Sequence, residues 1–329
     1  MFKKLNYKVL LIIVVILAAI IVIINLTGGE DRTFRSKVLR IKPNAITELQ
    51  VFDPQTNEAI KLIKEGEDSW TLYVGEKEYV GDEDAVRNVL QMLNDMQTES
   101  VVTRSEEKFE EYQVTEGTGI NVKLFQEDDL VVEILIGKFT YKVDEQTKNN
   151  NRMGTRPNTK MTSYVRPVEE ENVYALNGIL RMNFTNGSSV YRKKNIMDQD
   201  FESMGKLTYH YPDKKLILEK QNDKWYLNDQ PADSAKTEKY LRSFARLRNS
   251  SFIDTMDISG IKPSHKLEVE GAGFAPVIVE AYPSNDSTIK YYITSTINPG
   301  SIWNGSSGKL FEKIFKTEAM IIKYNGVLE

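Results

Sequence analysis

Histidine is the side chain that titrates nearest neutrality, and this chain has two, His210 and His265. His210 stands among Tyr209, Tyr211 and Pro212, where one alternating stretch ends; His265 follows Pro263, where another begins. No His-Glu-x-x-His spacing accompanies either, so they read as strand-end residues, not as zinc ligands or a catalytic pair. Acids are more plentiful, at Asp82-Glu83-Asp84, at Glu106-Glu107 with Glu110-Glu111, and at Glu169-Glu170-Glu171. Glycoside hydrolysis needs two carboxyl groups held apart across a cleft. Consecutive acids project in different directions, and these fall where helix starts and solvated turns are expected. A calcium loop of the form Asp-x-Asp-x-Asp-Gly is absent.

Phosphate chemistry finds little more. Gly305-Ser306-Ser307-Gly308-Lys309 is too short for a phosphate loop and puts Leu310 where a magnesium-binding hydroxyl belongs. Gly117-x-Gly119 and Gly271-x-Gly273 lack a third glycine, and no Gly-x-Ser-x-Gly elbow occurs. With no cysteine, disulfides, thiolate nucleophiles and sulfur-built zinc sites are excluded. The residues therefore predict no catalytic constellation, no cofactor and no metal site. Trp303, with Tyr291 and Tyr292 nearby, stays open between a ligand or partner surface and a satellite core.

The elements that would position these residues are written twice. Ile60, Leu62 and Ile63 lead to Trp70, then Asp82, then a helical stripe of Val86, Val89, Leu90 and Leu93. Leu216, Ile217 and Leu218 lead in the same order to Trp225, Asp233, Tyr240, Leu241 and Phe244. Upstream, Ile46, Leu49, Val51 and Phe52 are echoed by Met204, Leu207, Tyr209 and Tyr211. Stretches 46–52, 120–125, 266–269 and 277–279 alternate as half-buried strands do. Val131–Ile136 is a denser run suited to a central strand, with Gly137 as its expected stop. Asp82 or Asp84, and Asp233 or Ser234, can cap the helices. Trp70 and Trp225, at equivalent points, each read as a cover over the sheet or helix end of their own module. The expected fold is α+β: two similar modules, each a mainly antiparallel sheet with a packed helix. A polar stretch, roughly 142–161, sets the first copy apart.

Ahead of the modules, Val9–Leu26 is apolar except for Asn25 and spans roughly 27 Å at about 1.5 Å per residue, near the thickness of a bilayer core. Lys3, Lys4 and Lys8 precede it and Glu30 and Asp31 follow, which puts the N-terminus inside and residues 30–329 outside. The expected organisation is a cytoplasmic tip and lipid-spanning anchor at 1–30, a first module at 31–188 and a second at 189–329. A net charge of −4 offers no field for nucleic acid.

Together, Arg32-Thr33-Phe34, Ile46-Thr47-Glu48-Leu49, Trp70, the helix from Asp82, Val101-Val102, the Gly137 turn, Tyr164-Val165-Arg166 and Val173-Tyr174-Ala175-Leu176 resemble the DUF4340 family. Trp225-Tyr226-Leu227, Pro231-Ala232-Asp233 and Gly260-Ile261-Lys262-Pro263 repeat the likeness, whereas the first copy has Val80-Gly81-Asp82 and lacks the Gly-Ile-x-Pro turn. The resemblance implies a bacterial, membrane-anchored protein encoded beside ABC-type transport systems of the kind linked to gliding motility. It carries over no catalytic residue. The expected function is a non-catalytic extracytoplasmic accessory or scaffold subunit in the inner membrane, with ABC-type transporter proteins as partners. An envelope-glycan or polymer-binding module and a carboxylate-dependent hydrolase are the alternatives.

Overall fold

A computed structural model describes residues 37–67, 69–143 and 159–315. The apolar stretch Val9–Leu26, the motif Arg32-Thr33-Phe34 and residues 144–158 of the polar insertion lie outside them. Among the described residues, no helix is long and apolar enough to cross a membrane.

The described chain is α+β and mostly β, with two antiparallel sheets and few helices. In the first copy, β1 (Glu48–Asp53), β2 (Glu58–Lys64), β3 (Trp70–Val74) and β4 (Lys77–Val80) form a meander, followed by helix α1 (Glu83–Asn94). Then come β5 (Thr98–Thr103), the single turn α2 (Phe109–Tyr112), β6 (Ile120–Gln126), β7 (Asp129–Val143), β8 (Thr159–Pro167) and β9 (Val173–Asn177). The second copy repeats the plan with β10 (Met204–His210), β11 (Lys215–Gln221), β12 (Lys224–Leu227), β13 (Gln230–Pro231) and α3 (Ser234–Phe244). It closes with β14 (His265–Gly271), β15 (Val277–Pro283), β16 (Tyr291–Ser295), β17 (Trp303–Asn304) and α4 (Leu310–Ile314).

Strand order shows the duplication directly. The first sheet runs β4-β3-β2-β1-β6-β7-β8-β9-β5 and the second β13-β12-β11-β10-β14-β15-β16-β17. In both, the first strand of the meander pairs with a strand that follows the helix, β6 in the first sheet and β14 in the second. The first sheet differs at one edge, where β9 and β5 are added by the pairs Thr98–Leu176 and Val101–Tyr174.

Local chemistry explains the elements. Along β6, Ile120, Val122 and Leu124 are buried and their neighbours are not, the period of a strand with one covered face. On α1, Val86, Val89, Leu90 and Leu93 are buried; on α3, Thr237, Tyr240, Leu241 and Phe244 occupy the matching stripe. Asn222-Asp223 and Asn228-Asp229, all at positive φ, make the tight turns on either side of β12.

Gly137 does not stop its strand. β7 continues to Val143, and the register against β8 shifts between Ile136 and Phe139. A Cβ at Gly137 would lie 2.2 Å from the Tyr112 carbonyl oxygen and 2.7 Å from Val114, so glycine is required by close approach and not by a turn.

The chain divides into two compact units, Met1–Ile46 with Val51–Asn57 and Val89–Thr185, and Thr47–Gln50 with Glu58–Asn88 and Asn186–Glu329. Residues 58–88 of the first copy thus group with the second copy. Within the first unit, Phe109, Val114, Leu135 and Val173 form a cluster flanked by Val102, Tyr112 and Tyr164. Within the second, α3 packs Tyr240, Leu241 and Phe244 among Leu207, Tyr209, Leu218, Leu267 and Val279. Burying each such side chain contributes about 1.5–3 kcal/mol. Tyr209 Oη donates to Tyr240 Oη at 2.7 Å, which donates to the Ile314 carbonyl at 2.8 Å, so both buried hydroxyls are satisfied.

Candidate functional site

The second unit contains a polar cleft built around the end of β4. Gly81 N–H donates to the Trp70 carbonyl at 2.7 Å, and a Cβ at Gly81 would lie 2.6 Å from that oxygen. Ala232 makes the matching bond to Trp225 at 2.9 Å. The following residue, Asp82, donates its N–H to the Tyr191 carbonyl at 2.6 Å, and Lys193 donates to Val80 at 2.8 Å. Residues 191–193 therefore lie against 80–82.

Asp82 holds this corner. Its Oδ1 accepts from Ala85 N–H at 3.2 Å, capping α1, while Oδ2 lies 3.0 Å from Arg248 Nη2 and 3.7 Å from Lys194 Nζ. Burial pushes the Lys194 ammonium below its ordinary pKa; Asp82 opposes that shift and Arg248 adds to it. Lys194 also donates to the Val190 and Arg192 carbonyls. The cleft beside Asp82 encloses about 410 Å³, and its lining includes Trp70, Asp84, Lys193, Asp198 and Arg246. Its walls thus carry both signs of charge. Glu83 and Asp84 are both paired with Arg87, so they are engaged before any ligand arrives.

Next to the cleft, Arg192 is buried with 2% exposure. Its guanidinium lies 3.6 Å from the Tyr79 ring centroid and 4.0 Å from that of Phe252. It donates to Ser301 Oγ at 3.1 Å, Asp254 Oδ1 at 2.5 Å and the Gly300 carbonyl at 3.4 Å. Ser301 Oγ passes a bond to Asn298 Oδ1, and Asn298 Nδ2 donates to the Lys193 carbonyl. Nothing in the spacing around Tyr191-Arg192 announces this network. Its partners are distant in sequence and only the fold assembles them.

The residues singled out by sequence fall as follows. Trp303 is wholly buried: its indole N–H donates to the Asn249 carbonyl at 2.9 Å and its ring meets Phe252. Tyr292 is buried too, so of that trio only Tyr291 keeps an exposed part, stacked on Phe311 at 4.0 Å. Trp303 and Tyr292 thus belong to the core, and Tyr291 stands at its rim. Trp70 and Trp225 are buried at the starts of matching hairpins, and Asp233 caps α3 through Lys236 N–H at 3.1 Å. His265 sits in a ring cluster with Tyr211, Tyr291, Phe311 and Phe315, its Nδ1 2.9 Å from Ser264 Oγ. Among the described residues, no group of three or more histidines and acids converges to hold a metal ion.

Fold and site together define a duplicated α+β protein with a mixed-charge cleft and side chains engaged mainly with one another. A family model described as a domain of unknown function (DUF4340) matches residues 70–264, more than half of the chain, and the chain belongs to that family. No curated protein matches it. No solved structure does either.

Proposed function

We propose that this protein is a non-catalytic, membrane-anchored extracytoplasmic subunit, an accessory or scaffold part of an ABC-type transport system. The observation that carries the reading is how the chemically able groups are employed. Asp82 caps a helix and pairs with two cations, Arg192 is held between two rings, and His265 stands among four more. These contacts stabilise the fold, and the one hydroxyl described above beside an imidazole, Ser264 Oγ at His265, also donates to the Ala281 carbonyl at 3.3 Å. The hydrolase alternative loses its best acids for the same reason, since Asp82, Glu83 and Asp84 are each paired. The apolar stretch Val9–Leu26 supports the anchor, and tethering raises a partner's effective concentration at the membrane.

Crosslinking the tagged full-length protein in cells, followed by mild extraction and mass spectrometry, tests it. Recovery of a permease and an ATPase is the expected result. Recovery of the protein alone from a folded, well-extracted sample overturns it. The cleft of about 410 Å³ favours a second reading, binding of an envelope polymer that carries both acid and amine groups. In that case Arg246→Ala and Lys193→Ala would lower retention on purified cell-wall fragments while leaving the transporter contact intact.

A further inference from the structure

The end of β7 and the start of β8 form a two-stranded ribbon whose faces differ in kind. Residues directly opposed on antiparallel strands share a face. The register opposes Phe139 to Ser163, Tyr141 to Met161 and Val143 to Thr159 on one side. On the other it opposes Thr140 to Thr162 and Lys142 to Lys160. Lys138 lies over the Tyr112 ring, and Tyr164 Oη meets Thr140 Oγ1 at 3.2 Å. One face is apolar and aromatic, the other basic and hydroxylic. Tyr141 is 71% exposed, Phe139 41% and Met161 37%. A two-stranded ribbon is marginal in water by itself, and clustering large apolar groups on one of its faces calls for a cover.

Charge indicates which cover fits. Residues 138–143 and 159–163 include Lys138, Lys142 and Lys160 and no acid, in a chain of net charge −4; Asp144 and Glu145 follow in the sequence. Lys160 does approach Glu99 at 2.9 Å, yet its side chain stays 58% exposed, so that pair is weak. Aromatic and aliphatic side chains flanked by long-stemmed lysines suit an anionic lipid surface. The rings enter the headgroup boundary while the stems let the ammonium groups reach phosphates. A purely apolar protein groove would accept the rings but gain nothing from the exposed lysines.

We propose that this ribbon is a membrane-surface contact, laying Phe139, Tyr141 and Met161 into the boundary of an anionic bilayer while Lys142 and Lys160 pair with its phosphates. The contact is separate from the Val9–Leu26 anchor and does not depend on it. The absence of cysteine makes single-site labelling clean. Full-length protein carrying a dye at Thr159→Cys, Met182→Cys or Ala19→Cys is reconstituted into vesicles with and without anionic phospholipid. Quenching by lipids brominated on their acyl chains is then read. The expected result is quenching at Thr159 in anionic vesicles and none at Met182. Each lysine near an anionic surface is worth about fivefold in partitioning, so Lys142→Gln with Lys160→Gln lowers the bound-to-free ratio about 25-fold. Thr159 staying as unquenched as Met182, or quenched equally in neutral vesicles, overturns the proposal. So does protection at Thr159 that requires a second protein and persists in detergent. Ala19 reports the anchor independently: quenching there without quenching at Thr159 removes the ribbon contact alone.

Discussion

Arg192 shows at residue scale how the second unit uses a charge. Two rings and three acceptors compensate the desolvation of its guanidinium, and the planar fork is what lets one side chain reach Ser301, Asp254 and Gly300 together. Arg192→Ala removes the cation, leaves the Ser301–Asn298 chain short of a donor and opens a void, and should cost about 3–5 kcal/mol. Arg192→Lys keeps the charge but cannot satisfy the fork, so it should recover less than half of that. Urea unfolding followed by tryptophan fluorescence checks both, and a loss below about 1 kcal/mol for alanine would show that the network is dispensable. His265 makes a second prediction. Burial lowers its pKa from the usual value near 6.5, Lys290 lowers it further and Asp213 opposes. The unfolded chain therefore takes up a proton before the folded one does. Stability contributed by neutral His265 is present above the unfolded pKa and declines as pH falls below about 6.5. His265→Phe should flatten that acid slope between pH 7.5 and 5, and NMR titration of the imidazole should give a folded pKa under 6.5. An unchanged slope would remove His265 as its source.

At the scale of elements, the two helix starts look alike but carry different burdens. Asp233 only caps α3, so Asp233→Ala should cost about 1 kcal/mol. Asp82 caps α1 and also meets Arg248 and Lys194 with 12% of its side chain exposed. Asp82→Ala should thus cost about 2–3 kcal/mol, the excess arising from a half-buried Lys194 left without its carboxylate. Equal losses for the two variants in chemical unfolding would mean that the cations contribute nothing. Such elements were legible because their signals are local. A short acceptor before an apolar stripe announces a helix start, and the period of two in Ile120, Val122 and Leu124 announces a strand. What pairs with what was not legible, since β1 beside β6 and β5 beside β9 depend on contacts across long stretches of chain. Gly137 was misleading for a related reason. A glycine demanded by the Tyr112 carbonyl is indistinguishable, in one dimension, from a glycine that ends a strand. Trp303 stayed open between surface and core because Phe252 and Asn249, which enclose it, lie some fifty residues upstream.

At the scale of the whole molecule, the twice-used topology puts two sheets of one plan on a chain whose first apolar stretch precedes both. On the reading proposed above, Lys3, Lys4 and Lys8 before that stretch and Glu30 and Asp31 after it would set the direction of insertion, because basic residues are retained on the cytoplasmic side. That reading predicts an asymmetry of access. Glu76 lies exposed in the turn between β3 and β4, far along the chain from Val9–Leu26, and the protein has no native cysteine to confuse labelling. In intact cells with a permeabilised outer layer, Glu76→Cys should react fully with a membrane-impermeant maleimide, while Lys3→Cys should react only after lysis. Protein released into the medium with Glu76→Cys labelled would mean that the apolar stretch is cleaved as a leader. Protection of Glu76→Cys until lysis would place both sheets inside the cell and overturn the extracytoplasmic reading together with its partners. Equal reactivity of the two positions before lysis would instead show a broken membrane, which a cytoplasmic thiol protein measured in the same cells detects.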